Sequence, residues 1–515
     1  MRARVAFLAM VALVAAAPVG VARAGVPPCA TAAHPGGEWR SYGGGLSNSR
    51  NQPNETVINA STVANLTPAV SFRASVAQTG GGAFSNTPVV ADGCVYLASN
   101  TGWVFALNAD TLELRWKTKL QGAGQTLLGG VIVGSPVVAG GVVFLGVSRP
   151  TTPYVAALDQ ADGRVLWTTK VEDGQLNALI NASPVYFDGM IFQGFAGNEG
   201  GSVARGGFAI LDASHDCSET SATTCAEPVL GATGGMLLKH TYTISDAEYG
   251  AGYRGASVWC TAAVDPAAKY AYACGGNPAS KRLEARYSNS LLKIDMDRTH
   301  TATFGMIVDS YKGETDQYYP GLDRQPACDM FGEDIVYVAW SVTCVQLDLD
   351  FGASPNLFRD SLGNLVVGDL QKSGVYHAVF ADHMQRAWTA VLGSPCFACN
   401  VSSAAYDDER VYVAGSPGAV MWGLDRDRGR YRWAFPLPDA THFQSVSTAN
   451  GVVYTMDDSG TLTAFDAALG VPVAKRLIGI DAGANTLAVD ASSQGVAIAR
   501  NTVYALSGEF LVAYR

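Results

Sequence analysis

A short Pro-Val motif recurs along the chain at a fixed interval, and this repeat constrains the fold more than any other feature. It begins at Pro88, Pro136 and Pro184, so two successive intervals are 48 residues each. Each copy alternates apolar residues around an Asp-Gly or Gly-Gly pair, which is typical of two strands joined by a tight turn. A repeat of about 40–50 residues predicts an array of similar units rather than a string of unrelated domains.

Two further strands complete each of these units. A fourth strand begins near Trp116 and Trp167 in the first two units. The third strands are predicted at Val104–Leu107, Val155–Leu158 and Phe208–Leu211. The same order recurs less regularly to the C-terminus and gives eight units, the last of them completed by an N-terminal strand around residues 70–74. The sequence therefore predicts an all-β fold, an eight-bladed β-propeller of four-stranded antiparallel blades around a central pocket.

The composition agrees with many short strands and turns. Of 515 residues, 57 are glycine, aromatic residues make up 10% and charged residues only 16%. This composition excludes both a disordered chain and a bundle of membrane helices. The formal net charge of −10 makes a nucleic-acid partner a poor match.

The N-terminus has the pattern of a cleaved export signal. Arg2 and Arg4 precede an apolar stretch over residues 5–21, and Ala22-Arg23-Ala24 fits the small-x-small cleavage rule. We expect a signal peptide over residues 1–24 and a secreted or periplasmic protein. The alternative is a membrane anchor, which Pro18 and the cleavage pattern disfavour. No later stretch has the roughly 20 apolar residues of a spanning helix.

The ten cysteines are even in number and fit an oxidising compartment. Their connectivity stays open, although short separations favour Cys217–Cys225, Cys328–Cys344 and Cys396–Cys399. The last pair has the C-x-x-C spacing, but Asn400 stands where a haem attachment motif needs His.

The repeats predict a single propeller domain over residues 25–515. Two stretches exceed a plain blade, at about residues 213–256 and 296–350. Long insertions on a rigid array usually lie on the functional face. The alternative is that they only cover the surface.

The sequence lacks the usual motifs of hydrolases, P-loop and Rossmann proteins and zinc enzymes. Oxygen-bearing side chains near the predicted blade tops remain as candidates: Glu199, Asn277, Asp348 and Asp350. Such oxygens could together hold a hard cation such as Ca²⁺. Each of them also suits an ordinary turn, so the residues alone leave both interpretations open.

The repeats and several loops resemble those of pyrroloquinoline quinone (PQQ) dependent alcohol dehydrogenases, which are eight-bladed propellers. The shared repeat is Pro-Val-Val-x-x-Gly-x-Val-Phe, then Val-x-Ala-Leu-Asp, then Gly-x-x-x-Trp, and the opening Trp39–Arg50 matches the segment that begins such domains. The similarity covers roughly residues 38–515. Within the superfamily the chain is most similar to the polyvinyl-alcohol dehydrogenase branch, on stretches such as Tyr287–Leu291 and Asp316–Leu322.

The resemblance implies a role for each candidate residue. Glu199, before Arg205-Gly206, and Asn277, in Gly275-Gly-Asn-Pro, match metal ligands of the family, and Trp259 matches the indole that stacks on the quinone. Asp348 matches the catalytic base, and Asp350 lies where some members add a second acid and take a lanthanide. The cationic contacts to the cofactor match Lys372, Arg149 and Arg205. The sequence departs from the family pattern at Ser85 and Leu347, and it lacks the vicinal cysteine pair.

The resemblance thus implies an alcohol-oxidising quinoprotein with PQQ and Ca²⁺ or a lanthanide. Because the chain has no haem domain, electrons would leave to a separate acceptor such as a cytochrome c. The alternative is a non-catalytic propeller that binds a protein or a polymer, as in the outer-membrane assembly type that shares these repeats.

Overall fold

The repeats fold into eight blades around one axis, each with four main antiparallel strands, to which blade 3 adds a short fifth. The computed structural model describes residues 29, 33–122, 130–149, 151–172, 174–176, 178–197, 204–213, 235–279, 284–314, 337–338, 341–342, 349–395, 400–415, 419–437, 444–484 and 495–515. The predicted eight-bladed β-propeller is confirmed.

Each blade is formed by consecutive strands, and only the last blade also takes a strand from the start of the chain. That first strand is β1 (Pro68–Arg73). Blade 1 contains β2 (Val89–Ala91), β3 (Cys94–Ala98), β4 (Trp103–Asn108) and β5 (Leu114–Lys119). Blade 2 contains β6 (Val137–Ala139), β7 (Val142–Val147), β8 (Tyr154–Asp159) and β9 (Val165–Lys170). Blade 3 contains the short extra strand β10 (Ala178–Leu179), then β11 (Val185–Phe187), β12 (Met190–Gly197), β13 (Gly207–Asp212) and β14 (Leu237–Tyr242). Blade 4 contains β15 (Ala263–Asp265), β16 (Tyr270–Gly275), β17 (Ser290–Asp295) and β18 (Ile307–Lys312).

The second half of the chain repeats this order. A separate two-stranded hairpin, β19 (Tyr337–Val338) and β20 (Ser341–Val342), precedes blade 5. Blade 5 contains β21 (Asn356–Arg359), β22 (Leu365–Leu370), β23 (Val375–Phe380) and β24 (Gln385–Val391). Blade 6 contains β25 (Ala405–Tyr406), β26 (Arg410–Gly415), β27 (Val420–Asp425) and β28 (Tyr431–Pro436). Blade 7 contains β29 (Ser447–Ala449), β30 (Val452–Met456), β31 (Thr461–Asp466) and β32 (Pro472–Leu477). Blade 8 contains β33 (Ala497–Ala499), β34 (Thr502–Ser507) and β35 (Phe510–Tyr514), and β1 pairs with β35 as its fourth strand.

That pairing closes the ring, as the sequence predicted for a strand around residues 70–74. In the described residues, helix is limited to a 3₁₀ turn (Val63–Asn65) and three short α-helices, α1 (Ala74–Ala77), α2 (Asp246–Gly250) and α3 (Ile478–Asp481). No described helix combines the length and the apolar character needed to cross a membrane.

The core lies between blades rather than inside one layer. Buried apolar residues of neighbouring blades form shared clusters, because each strand alternates its side chains between the two faces of its sheet. The first strands of neighbouring blades contact one another and surround the axis, whereas fourth strands such as β5 and β28 are largely exposed.

At several blade interfaces, a tryptophan on the fourth strand of one blade packs on a glycine of the next blade. Trp116 of blade 1 packs on Gly163 in a turn of blade 2, and its indole N–H donates to the Gln160 carbonyl at 3.0 Å. Gly163 has φ +74°, and a Cβ atom there would overlap the Trp116 ring, so only glycine fits. Trp433 stands in the same relation to Gly470.

A row of buried hydroxyls joins the starts of the first strands in blades 1 to 6. We call Thr87, Ser135, Ser183, Thr261, Ser354 and Ser403 the hydroxyl belt. In each of five successive links, the backbone N–H of one member donates to the hydroxyl oxygen of the member in the next blade, at 2.7–3.0 Å. The belt therefore stitches blades 1 to 6 together where their first strands begin.

The segment 39–52 lies against the first strands of most blades and reaches the hydroxyl belt, where the Tyr42 hydroxyl donates to Ser403 Oγ at 2.6 Å. Its backbone exchanges hydrogen bonds with the first strands of blades 1, 2, 4, 5, 6 and 7, and the Gln52 amide donates to Ile498 in blade 8. Arg50 is fully buried within it, between the rings of Trp39 and Tyr42. Desolvation lowers the pKa of Arg50 to about 10, which leaves it charged at neutral pH.

Two described disulfides add covalent links, Cys29–Cys94 and Cys260–Cys274. The three pairs favoured by short sequence separation all lie outside the described residues: Cys217–Cys225, Cys328–Cys344 and Cys396–Cys399.

Candidate functional site

Strand direction places those predicted site residues that the structure describes on one face of the ring. In an antiparallel blade, the loop before the first strand and the hairpin between the second and third strands lie at the same end. Trp259 and Asp350 precede the first strands β15 and β21, whereas Asn277 and Lys372 follow the second strands β16 and β22. Arg149 follows β7 at this same end, where its carbonyl accepts a hydrogen bond from Thr152 N–H.

Asp350, Lys372 and Trp259 come together as a triad on this face. The Asp350 carboxylate is fully buried, with one oxygen 2.6 Å from Lys372 Nζ and the other accepting the Trp259 indole N–H at 2.9 Å. Lys372 Nζ also lies 4.7 Å from the centre of the Trp259 ring. A buried ion pair of this kind is costly to desolvate, so its burial by itself does not indicate a stabilising role. The triad brings together three of the residues that the sequence singled out.

Trp259 and Asn277 are tied together through blade 4. The disulfide Cys260–Cys274 joins the residue after Trp259 to the strand that leads to Asn277. Gly276 N–H donates to the Ser257 carbonyl at 2.7 Å, and the Asn277 side chain is 3% exposed. A carboxamide oxygen donor therefore lies in the loop next to the one that carries the indole.

Asn400 holds the hairpin that carries Lys372. Its buried amide donates to the carbonyls of Lys372 and Ser394, both at 3.1 Å. Gly352 leaves room for the lysine stem, because a Cβ atom there would lie 3.1 Å from Lys372 Cγ. Asn400, which excludes a haem attachment motif, thus supports the hairpin of Lys372 instead.

A second polar chain approaches the same hairpin from the interface of blades 4 and 5. His377, on β23, is 2% exposed; its Nδ1 lies 3.1 Å from the Tyr311 hydroxyl and its Nε2 3.1 Å from Gln371 Oε1. Burial lowers the pKa of His377 to about 3, so the ring is neutral. The Gln371 amide also pairs with the backbone N–H and carbonyl of Glu314.

Arg205 lies apart from the triad, one blade away. Its guanidinium lies 3.7 Å from the Tyr242 ring centre and 4.8 Å from that of Tyr249, and it pairs with Asp246 at 2.7 Å. Its backbone pairs with Gly255, which in turn pairs with Pro278. Arg205 thus borders the loop of Asn277 through the backbone, while its charge is directed to the tyrosines and Asp246.

Glu199 and Asp348 lie outside the described residues. Within the described part of the chain, no three His, Cys, Asp or Glu side chains are grouped closely enough to hold a metal ion. Of the proposed oxygen donors, the structure therefore describes Asp350 and Asn277.

Gln371, His377, Tyr311 and Asn400 support the site, and the sequence assigned them no role there. Three of them lie on or beside strands, where one polar residue among apolar neighbours does not stand out. Gln371 is the one with a usable signal, since it adjoins Lys372 in the segment that carries the resemblance.

Fold and site together define an eight-bladed propeller with a buried acid, a buried lysine and an indole at one end of its axis. The chain belongs to the PQQ-repeat family whose model, described as outer membrane protein assembly factor BamB, matches residues 51–224 and 339–515.

Similar proteins extend this classification. The chain is 25% identical over 469 residues to the polyvinylalcohol dehydrogenase of Pseudomonas sp., which covers 84% of this chain and 66% of that protein. It is 27% identical over 461 residues to the polyvinylalcohol dehydrogenase of Sphingopyxis sp. (strain 113P3), covering 80% and 65%. Just under two thirds of each relative's length is therefore matched. The structure of quinohemoprotein alcohol dehydrogenase from Comamonas testosteroni superposes with a TM-score of 0.67 at 15% identity, covering 96% of this chain and 81% of that one, which shows the shared fold.

Proposed function

We propose that this chain is an exported quinoprotein oxidoreductase that oxidises an alcohol, of a secondary or polymeric, polyvinyl-alcohol-like kind, with PQQ and a bound Ca²⁺ or lanthanide ion. The observation that carries the proposal is the triad of Asp350, Lys372 and Trp259. Its support from relatives is the similarity to polyvinylalcohol dehydrogenases over most of the chain.

The described site residues are of the kinds that PQQ and a hard metal ion require. The half-buried Trp259 indole offers a flat apolar surface for a planar ring. The Lys372 ammonium beside it offers a positive charge for ring oxygens. Asp350 and Asn277 offer buried hard oxygen donors of the type that Ca²⁺ and lanthanides select. When bound, PQQ would supply the two-electron redox chemistry and the metal ion the Lewis acidity.

Each residue then has a definite task in the proposal. Asp348 would accept the proton of the alcohol hydroxyl as general base. Asp350 and Asn277, together with Glu199, would supply metal ligands.

The remaining residues of the proposed site would hold the cofactor. Trp259 would orient the ring by stacking, and Lys372 would balance negative charge that develops on it. Arg149 and Arg205 are the other proposed cofactor contacts on this face.

The setting of the reaction is part of the proposal. The signal-peptide pattern over residues 1–24, which lie outside the described residues, supports export to the periplasm or the medium. An external electron carrier such as a cytochrome c would then reoxidise the enzyme.

The decisive experiment mixes the purified mature protein with PQQ and either Ca²⁺ or La³⁺, and follows dye reduction with primary alcohols, secondary alcohols and polyvinyl alcohol. We expect turnover, and we expect Asp348→Asn to abolish it while PQQ still binds. The matched control is Asp408→Asn, because Asp408 is fully exposed in a hairpin at the opposite end of the ring.

Two outcomes would count against the proposal. If the protein binds no PQQ and shows no turnover with Ca²⁺ or with La³⁺, the enzyme hypothesis is rejected. The result would then favour a non-catalytic propeller that binds a polymer or a protein. Full activity in Asp348→Asn would reject only the assigned base.

A further inference from the structure

A row of polar side chains at the interface of blades 4 and 5, the half-buried Tyr311 and the buried His377 and Gln371, ends directly at the hairpin that carries Lys372. Tyr311 belongs to β18 of blade 4, and His377 to β23 of blade 5. Their rings lie 5.6 Å apart, and Phe351 closes the group with its ring edge-on to His377 at 5.4 Å. An interface made only of apolar residues would pack as well, so the polar chain needs a separate explanation.

The hydrogen bonds of this polar row lead from Tyr311 to His377 and from His377 to Gln371, whose amide is held by Glu314. The Glu314 backbone fixes the orientation of the Gln371 amide, because Glu314 N–H donates to Oε1 and Nε2 donates to the Glu314 carbonyl at 2.8 Å. Since Oε1 can only accept, the neutral His377 ring carries its proton on Nε2 and accepts the Tyr311 O–H at Nδ1. Each member therefore determines the orientation of the next.

The end of the chain adjoins two of the three triad residues. Gln371 directly precedes Lys372, and its backbone pairs with Phe351, the residue after Asp350. Lys372 N–H in turn donates to the Asp350 carbonyl at 3.0 Å. A shift of Gln371 would therefore move both partners of the Lys372–Asp350 ion pair.

We propose that Tyr311, His377 and Gln371 are positioning residues that hold the Lys372 ammonium against Asp350 and over the Trp259 ring. Their task would be to fix one geometry of this ion pair through a network in which each side chain has a hydrogen-bond partner. These three residues would thus support the geometry of the proposed cofactor site. Only the interpretation of the PQQ-binding measurements below rests on the proposed function.

The first test measures the ion pair without any cofactor. Trace labelling with acetic anhydride, followed by mass spectrometry, reports how fast the Lys372 amine reacts relative to the exposed Lys117. We expect Tyr311→Phe and His377→Phe to accelerate Lys372 labelling about fivefold, the change in population that a lost hydrogen bond of about 1 kcal/mol produces. His377→Gln, which can still donate and accept, should return the rate toward that of the wild type.

The matched control is Tyr272→Phe. Tyr272 lies at the same interface of blades 4 and 5, but its hydroxyl donates to Ala381 at the other end of the ring. This variant should lose similar stability and leave Lys372 labelling unchanged. Wild-type labelling in folded Tyr311→Phe would overturn the proposal, and this mild variant decides the matter even if His377→Phe does not fold.

The second test measures the dissociation constant of PQQ by fluorescence titration in the same variants. We expect about fivefold weaker binding in Tyr311→Phe and none of this loss in Tyr272→Phe. If labelling changes as expected but the wild type binds no PQQ, the proposed function fails and the positioning role stands. If PQQ binds the wild type and labelling does not change, the positioning role fails and the function stands.

Discussion

Removing one hydroxyl of the hydroxyl belt should destabilise the whole ring. Ser183 is 1% exposed, and its oxygen accepts the Ser135 backbone N–H at 2.8 Å. Ser183→Ala removes that acceptor from a buried donor that lies between two blades. A buried donor without its acceptor costs about 1–3 kcal/mol, so we expect the free energy of unfolding to fall by about that amount.

The assay is urea unfolding monitored by circular dichroism, combined with hydrogen exchange of the peptide that contains Ser135. Since each 1.4 kcal/mol is a factor of about ten, the Ser135 amide should exchange roughly five- to a hundredfold faster in the variant. Ser71→Ala is the matched control, because Ser71 is an exposed serine on β1. A Ser183→Ala loss within about 0.5 kcal/mol of that control would refute the assignment of stability to the belt.

Three further predictions test packing and ionisation. Gly163→Ala should lower the urea midpoint far more than Gly140→Ala. Both glycines have positive φ, but only at Gly163 would the new Cβ overlap the Trp116 ring. Equal losses would contradict the claim that Trp116 needs a glycine at this position. Burial lowers the pKa of His377 to about 3, whereas the same side chain in the unfolded chain takes up a proton near pH 6.5. The free energy of unfolding therefore decreases as the pH falls from about 6.5 toward 3. From pH 7 to pH 5 the wild type should lose about 2 kcal/mol more than His377→Gln in urea unfolding, and parallel losses would argue against a neutral ring. Burial raises the pKa of Asp369, so the folded protein keeps a proton that the unfolded chain releases above about pH 4. The stability of Asp369→Asn relative to the wild type should therefore increase from pH 4 to pH 7 in urea unfolding. A difference that does not change with pH would contradict the raised pKa.

The fold was predictable because its information is local and repeated. The copies at Pro88, Pro136 and Pro184 each encode a strand, a turn and a strand, and the period alone then implies a ring. Even the closing strand β1 is visible as an apolar stretch left over at the N-terminus. The disulfide Cys29–Cys94 was not predictable, because its cysteines are 65 residues apart in sequence and meet only where the N-terminal segment packs on blade 1.

The site was predictable only in part, and the reason is physical. Trp259, Asp350 and Lys372 stand out because the resemblance marks their loops, and the structure brings them into contact. His377 and Tyr311 act through geometry between two blades, which a single sequence does not record. The roles assigned to Glu199 and Asp348 stay predictions, since both lie outside the described residues.

The segment 39–52 has a consequence for how the chain reaches its final state. It is among the first parts to be synthesised, yet its hydrogen-bond partners include Thr448 and Ile498, close to the last. The blades can form one by one from local contacts, but this segment can dock only after the ring has assembled around the axis. Contacts of such long sequence separation slow folding, so we expect a late, slow step in which the segment seats itself. A variant that lacks residues 39–52 would then assemble its ring without this last step, and it would lack the hydrogen bonds that the segment makes with the first strands.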